Sequence, residues 1–275
     1  MKISIATSVF VNYQLLDALE QIIAIGFEGV DIWCGRPHAF RKDIQESTFK
    51  DLRFLLESKG VTPVSLMPAF FRYPFSLSSP NETIRQDSIM YMKDCIDNAI
   101  SIGAPNVLVV PTHSLHGQST EESRNFFISS LKEVASHASY KKIKLGIEIV
   151  YPQLSDYLNS STDALSIIHQ VKADCLGVVL DTGHLNLSKE DQENALQRLQ
   201  NLLIQVHIND NDQRQQQNLI PGYGKFDFLN FFRLLRKYKY ESYLSLELGW
   251  NYSFDPIPAA REAFQRLQAL INTKP

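Results

Sequence analysis

The chain reads as an α/β protein, a single (β/α)8 TIM barrel spanning residues 1–275, and three observations predict it. Short β-like runs alternate eight times with longer helical patterns, the signature of a parallel sheet covered by helices. The length of 275 residues suits one barrel of about 250 residues. No Pro/Gly/Ser-rich linker, low-complexity tract or repeat beyond the βα period divides the chain.

In order, the strands are expected at Lys2–Ala6, Gly29–Trp33, Thr62–Leu66, Asn106–Val110, Lys144–Ile149, Gly177–Asp181, Leu203–His207 and Tyr243–Glu247. The helix starts between them are chemically punctuated. Ser79-Pro80-Asn81-Glu82 reads as a serine N-cap, a proline at the first helical position and a capping-box acid, and Ser119 with Glu122 repeats the Ser-x-x-Glu spacing. Asp227 and Asp255-Pro256 read as caps of the last two helices, and Gly60 and Gly103 as left-handed terminators.

Composition narrows the function classes. Hydrophobic content of 44%, charged content of 21% and a net charge of −3 predict a globular protein with no electrostatic footprint for nucleic acid. No apolar stretch approaches membrane-spanning length, and Met1-Lys2 runs directly into KISIA without a signal-peptide pattern, so a cytoplasmic location is expected. Cys34, Cys95 and Cys175 are widely spaced and suggest neither a disulfide framework nor a thiolate zinc site.

The later strands carry the chemistry. Side chains alternate faces, so if Leu244, Leu246 and Leu248 face the helices, Tyr243, Ser245 and Glu247 face the barrel interior. The same parity sends Gly146 and Glu148, Val179 and Asp181, and Gln205 and His207 inward. Glu148, Asp181, His207 and Glu247 lie 33, 26 and 40 positions apart, each about one βα unit, and converge on the C-terminal mouth where barrel active sites sit. Three carboxylates cannot crowd together ionised without a cation, so a single divalent metal is expected. Three hard oxygens, one nitrogen and no thiolate favour Mn²⁺, with Mg²⁺, Co²⁺ and Zn²⁺ also compatible.

Those residues sit in recognisable pieces: LGIEIV around Glu148, VLDTGH around Asp181 and His184, VHIND around His207, PGYGKFDF from Pro221, YLSLEL around Glu247 and, more weakly, GFEGVDIW from Gly26. Together they resemble the xylose isomerase-like barrels, specifically the sugar phosphate isomerase/epimerase group. The resemblance implies a metal held by Glu148, Asp181, His207 and Glu247. It also implies that the two glutamates act as acid and base across a small sugar or polyol substrate, with His184 contacting substrate oxygen. Abstracting a proton beside a carbonyl develops charge on oxygen that a metal stabilises, and two opposed carboxylates can exchange the proton on either face. The pattern departs at Leu154, where ketose 3-epimerases carry a second glutamate, and at Gln213, where they carry an arginine that here is one residue later, at Arg214. Inositol-type keto substrates and other sugar derivatives therefore stand beside ketohexoses.

Further candidates flank this set. Arg214 is a candidate anchor for an anion or hydroxyl, and His113, with His116 near it, follows the fourth strand. Trp33 and Trp250 end the second and eighth strands, where an indole could stack on a sugar. Phe70, Phe71, Tyr73 and Phe75 could form a lid, a subunit interface of a homo-oligomer, or local core. Gly222 and Gly224 offer N–H groups to a phosphate or make a plain turn. His38 sits beyond the second strand, and His137 and His169 fall in helical patterns. Three rival readings use the same framework: a keto-polyol dehydratase, a zinc phosphoesterase resembling endonuclease IV, and a barrel that binds a polyol without turnover.

Overall fold

The computed structural model describes residues 1–41, 43–70 and 74–273. Strands and helices alternate as β1 (Lys2–Ala6), α1 (Leu15–Ile25), β2 (Gly29–Trp33), α2 (Glu46–Ser58), β3 (Thr62–Met67), α3 (Glu82–Ile102), β4 (Asn106–Val109) and α4 (Thr120–Lys141). They continue as β5 (Lys144–Ile149), α5 (Ser161–Val171), β6 (Leu176–Asp181), α6 (Thr182–Ser188), α7 (Gln192–Leu199), β7 (Leu203–Ile208), α8 (Phe228–Lys237), β8 (Tyr243–Leu246) and α9 (Pro256–Asn272). Each strand pairs in parallel with the next and β8 pairs with β1, closing the (β/α)8 barrel that the alternation predicts. Every expected strand is present, its ends within about one residue of expectation, the normal slack of such boundaries. Among the described residues no helix is long and apolar enough to cross a membrane.

The helices form where an apolar stripe meets good caps. In α8 Phe228, Phe231, Phe232, Leu234 and Leu235 are buried at helical spacing, and Asp227 caps it by accepting the Asn230 N–H at 3.0 Å. Ser119 caps α4 through the Glu122 N–H as expected. Asp255 stands at the N-cap of α9, without a side-chain capping bond, and is followed by Pro256. Gly60 and Gly103 take left-handed conformations after α2 and α3. One cap is displaced: Asn81, not Ser79, caps α3, accepting from the Thr83 and Ile84 N–H groups. Ser79 instead accepts the Asn81 N–H and so tightens the turn before the helix.

The barrel interior is layered. One layer is polar: Asp31 of β2 accepts hydrogen bonds from Ser4 (2.8 Å), Ser65 (2.6 Å) and Gln205 (2.5 Å), and Gln205 also donates to Ser245. Two residues further along these strands the same face reaches the mouth. Gly146 gives the β5 side of the interior its room, because a Cβ there would lie 2.6 Å from Cγ2 of Val179. The β6–β7 register shifts at Val178/Val179, so Val179 pairs with Gln205 and Asp181 with His207. That irregularity leaves Ile204 as the extra residue and sets His207 directly beside Asp181.

Candidate active site

Glu148, Asp181, His207 and Glu247 meet at the C-terminal mouth, each offering a ligand atom within 4.8 Å of the others. Asp181 ends β6, and Glu148 and His207 each lie one residue before the end of β5 and β7. Glu247 follows β8 and still donates its N–H to the Ile208 carbonyl, which holds it to the neighbouring strand. His207 Nδ1 lies 2.8 Å from Glu148 Oε1 and 3.1 Å from Glu247 Oε2. Donors about 2.0–2.2 Å from a common cation stand at most about 4.4 Å apart, close to the observed span, so the arrangement suits a divalent ion.

The electrostatics agree with a site built for positive charge. Burial pushes the Asp181 carboxyl up to about 6; His184 and His207 oppose this rise while Glu247 and Glu148 add to it. Burial alone would lower the pKa of His207, but its hydrogen bonds to Glu148 and Glu247 hold it well above the ordinary imidazole range. Burial likewise acts to raise the Glu247 carboxyl, and the His207 contact outweighs it and draws it below its usual value.

Asp181 is also a structural residue. Its Oδ1 accepts the His184 N–H at 2.7 Å and thereby caps α6, which starts immediately after β6. Its Oδ2 accepts from the Asn209 amide at 2.5 Å. Gly183 is required beside it, since a Cβ there would stand 2.0 Å from Asn209 Oδ1. The Gln216 amide continues the chain by donating to Asn209 Oδ1. Asn209 and Gln216 are the residues that sequence reasoning missed: Asn209 lies inside VHIND two positions after His207, and Gln216 in the amide-rich run that follows, which reads as a solvated loop.

A cavity of about 680 Å³ opens over the cluster. Glu148, Glu247 and His184 line it, whereas Asp181 and His207 do not. His184 is buried, its Nδ1 makes no hydrogen bond and lies 3.9 Å from Asp181 Oδ1, and its ring stacks on Tyr151 at 5.3 Å. Trp33 and Trp250 form one wall, edge to face at 5.6 Å. Phe70 reaches the cavity from a buried aromatic group in which Phe75 stacks on Tyr91 at 4.2 Å, so these two phenylalanines are local core. Phe71 and Tyr73 lie outside the described residues.

Other candidates sit elsewhere. His113 and Arg214 are exposed and do not line the cavity: His113 turns to the Ser114 carbonyl, and the Arg214 backbone N–H closes a turn on Asp212. His116 is exposed as well. Gly222 and Gly224 do not offer free N–H groups, because both donate to the carboxylate of Asp210, at 2.9 and 2.8 Å. His38 is buried between Thr7 and the Tyr13 carbonyl, and His137 pairs with Asp97 on the surface.

A closed parallel barrel with a carboxylate–imidazole cluster at its mouth defines a barrel enzyme architecture with a candidate metal centre. The chain belongs to the xylose isomerase-like TIM barrel family, whose sequence model matches residues 19–270. It is 26% identical over 247 residues to the fructoselysine 3-epimerase of Shigella flexneri, covering 90% of each chain. It is 23% identical over 140 residues to the L-ribulose 3-epimerase of a Methylomonas species, covering 51% of this chain and 47% of that one. Among solved structures it superposes on apo 3-keto-D-glucoside 4-epimerase YcjR from E. coli with a TM-score of 0.82 and 19% identity, over 98% of this chain and 99% of that one. It superposes on IOLI protein with a bound zinc atom with a TM-score of 0.83 and 20% identity, over 98% of each chain.

Proposed function

We propose that the protein is a metal-dependent sugar isomerase/epimerase that moves a proton on the carbon next to a carbonyl. One observation carries the reading: of the four clustered side chains, the two that line the cavity are the glutamates, Glu148 and Glu247, three strands apart around the mouth. The relatives' names, 3-epimerases of fructoselysine and L-ribulose, support the same chemistry.

Glu148, Asp181, His207 and Glu247 would hold one divalent cation, Mn²⁺ by the hardness of the donor set. When bound, it supplies a Lewis acid that stabilises negative charge developing on the substrate's carbonyl oxygen. One glutamate removes the proton from the carbon beside the carbonyl, leaving an enediolate, and the other returns a proton to the opposite face of that carbon. Each glutamate keeps a place on the cavity wall for this, while Asp181 and His207 stay behind it as supports. His184 lines the cavity and binds a substrate hydroxyl, and its stack on Tyr151 fixes the ring plane. His113 and Arg214 have no part in this reading, since neither lines the cavity.

The test is solvent exchange. The Mn²⁺-loaded protein is incubated in D₂O with D-fructose, L-ribulose and a 3-keto-D-glucoside, and carbon-bound deuterium is read by NMR. Incorporation beside the carbonyl of at least one of them is expected, and Glu148→Gln and Glu247→Gln each slow it about 100- to 10,000-fold. Exchange that survives both substitutions overturns the assignment.

A further inference from the structure

The cavity is larger and more apolar than proton transfer on a free sugar requires. Pockets of about 300–1,000 Å³ enclose drug-sized ligands, and this one, at about 680 Å³, holds several times the bulk of a hexose. Its carboxylates and imidazole are also confined to one side. Glu148, Glu247 and His184 sit over the β5–β8 half, with Gln216, Asn218 and Asn251 on the adjoining loops. The opposite wall and floor are made by Met67, Leu108 and Val110, which pack with Ala6, Val150 and Val179 as an apolar cluster of their own. Leu154 covers the edge of this cluster and also faces the cavity.

A free hexose carries oxygen on every carbon. Pressed on this wall, its outer hydroxyls would lose water without gaining partners, which is unfavourable. An apolar group placed there gains instead, by burial against those side chains. At the rim Trp250 is half exposed and leans edge-on against the buried Trp33, and both indoles line the cavity. A flat ring is the chemistry that such a pair recognises, through offset or edge-to-face contact.

We infer that the cavity carries a second subsite, formed by Trp33, Trp250, Phe70 and Leu154, that takes an uncharged aryl substituent on the keto-sugar. The substrate is thus a sugar conjugate, its reacting carbons over the glutamates and its aglycone on the apolar side. This rests on the sugar isomerase/epimerase reading for the sugar end alone, and the two are tested by different signals.

Affinity reads the subsite and deuterium incorporation reads the chemistry. Calorimetric titration of the Mn²⁺-loaded protein compares the methyl and phenyl glycosides of 3-keto-D-glucose. The phenyl glycoside is expected to bind about tenfold tighter, from ring burial and aromatic contact. Trp250→Ala and Leu154→Gln, both at partly exposed positions, should each remove most of that preference while leaving the methyl glycoside nearly unaffected. Equal affinity for the two glycosides, no binding of the phenyl glycoside, or a phenyl preference that survives both substitutions overturns the subsite. A phenyl preference lost in both variants supports it, even where neither glycoside exchanges its proton; that pattern removes only the isomerase assignment.

Discussion

The two halves of the barrel mouth have opposite chemistry. Around β5–β8 the inward side chains at the C-terminal ends are Glu148, Asp181, His207 and Glu247; around β1–β4 the corresponding rim is Ala6, Trp33, Met67 and Val110. One layer deeper the contrast changes: Asp31, Ser4 and Ser65 make the β1–β3 side polar and join it to Gln205 and Ser245, while β5 and β6 contribute only Gly146 and Val179. A barrel interior can therefore hold charge at one place and exclude it at the next, provided every buried polar group is answered. In the deeper layer Asp31 is answered by protein donors; at the mouth Asp181 is answered by the His184 N–H and the Asn209 amide, but Glu148 and Glu247 share one imidazole, which is where a cation adds most.

The sharpest way to separate the halves is metal binding. Wild type is expected to take up one Mn²⁺ per chain, measured by equilibrium dialysis with metal analysis, and His207→Ala to lose about 100-fold or more in affinity. Trp250→Ala, which removes the indole against Trp33 and no ligand, should bind Mn²⁺ as wild type does. Three ions per chain in wild type would instead favour the phosphoesterase architecture.

A smaller effect is expected one step outward from the ligands. Asn209 contributes no ligand, but its amide fixes Asp181 Oδ2 and is itself held by Gln216. Asn209→Ala should weaken Mn²⁺ by about 10- to 100-fold with the thermal transition little changed, as loss of a ligand-orienting hydrogen bond does. An unaltered affinity would mean that capping α6 suffices to orient Asp181.

The two halves also differ in how legible they are. The carboxylate half shows in the amino-acid string because a charged residue at the end of an apolar strand is costly unless it is paired or metal-bound, and strand parity puts Glu148, Asp181, His207 and Glu247 on one face. Met67, Leu108 and Val110 could not be told from core, since an apolar strand residue looks the same whether it meets a helix or a substrate. The β6–β7 irregularity that aligns His207 with Asp181 has no local signature, because it is set by pairing across the sheet. His113 and Arg214 follow strands as active-site residues do, yet the direction in which a loop carries a side chain is not written in periodicity. Gly222 and Gly224 make the plain turn and no phosphate site for a related reason: the carboxylate that occupies their N–H groups, Asp210, is more than ten residues earlier.

The smallest effect belongs to the apolar half and is read by pH. The Trp33 N–H donates to Thr7 Oγ1, the Thr7 hydroxyl meets His38 Nδ1 at 3.0 Å, and His38 Nε2 lies 3.2 Å from the Tyr13 carbonyl. This pattern fits a neutral imidazole with its proton on Nε2, so His38 fastens the β1 and β2 ends beneath the Trp33 wall. Burial lowers its pKa to about 4, against a partly compensating pull from the Tyr13 and Phe10 carbonyls. The unfolded chain binds the proton near 6.5 and the folded chain only near 4, so stability from this residue is present at pH 7 and is lost as pH falls through that window. Between pH 7 and 5 the loss should be about 1–2 kcal/mol, seen in urea unfolding as a lower midpoint. His38→Asn, which cannot titrate, should flatten that part of the pH profile, whatever it does to the absolute stability. A profile with the same slope in both proteins would show that the Trp33 wall stands independently of His38 protonation.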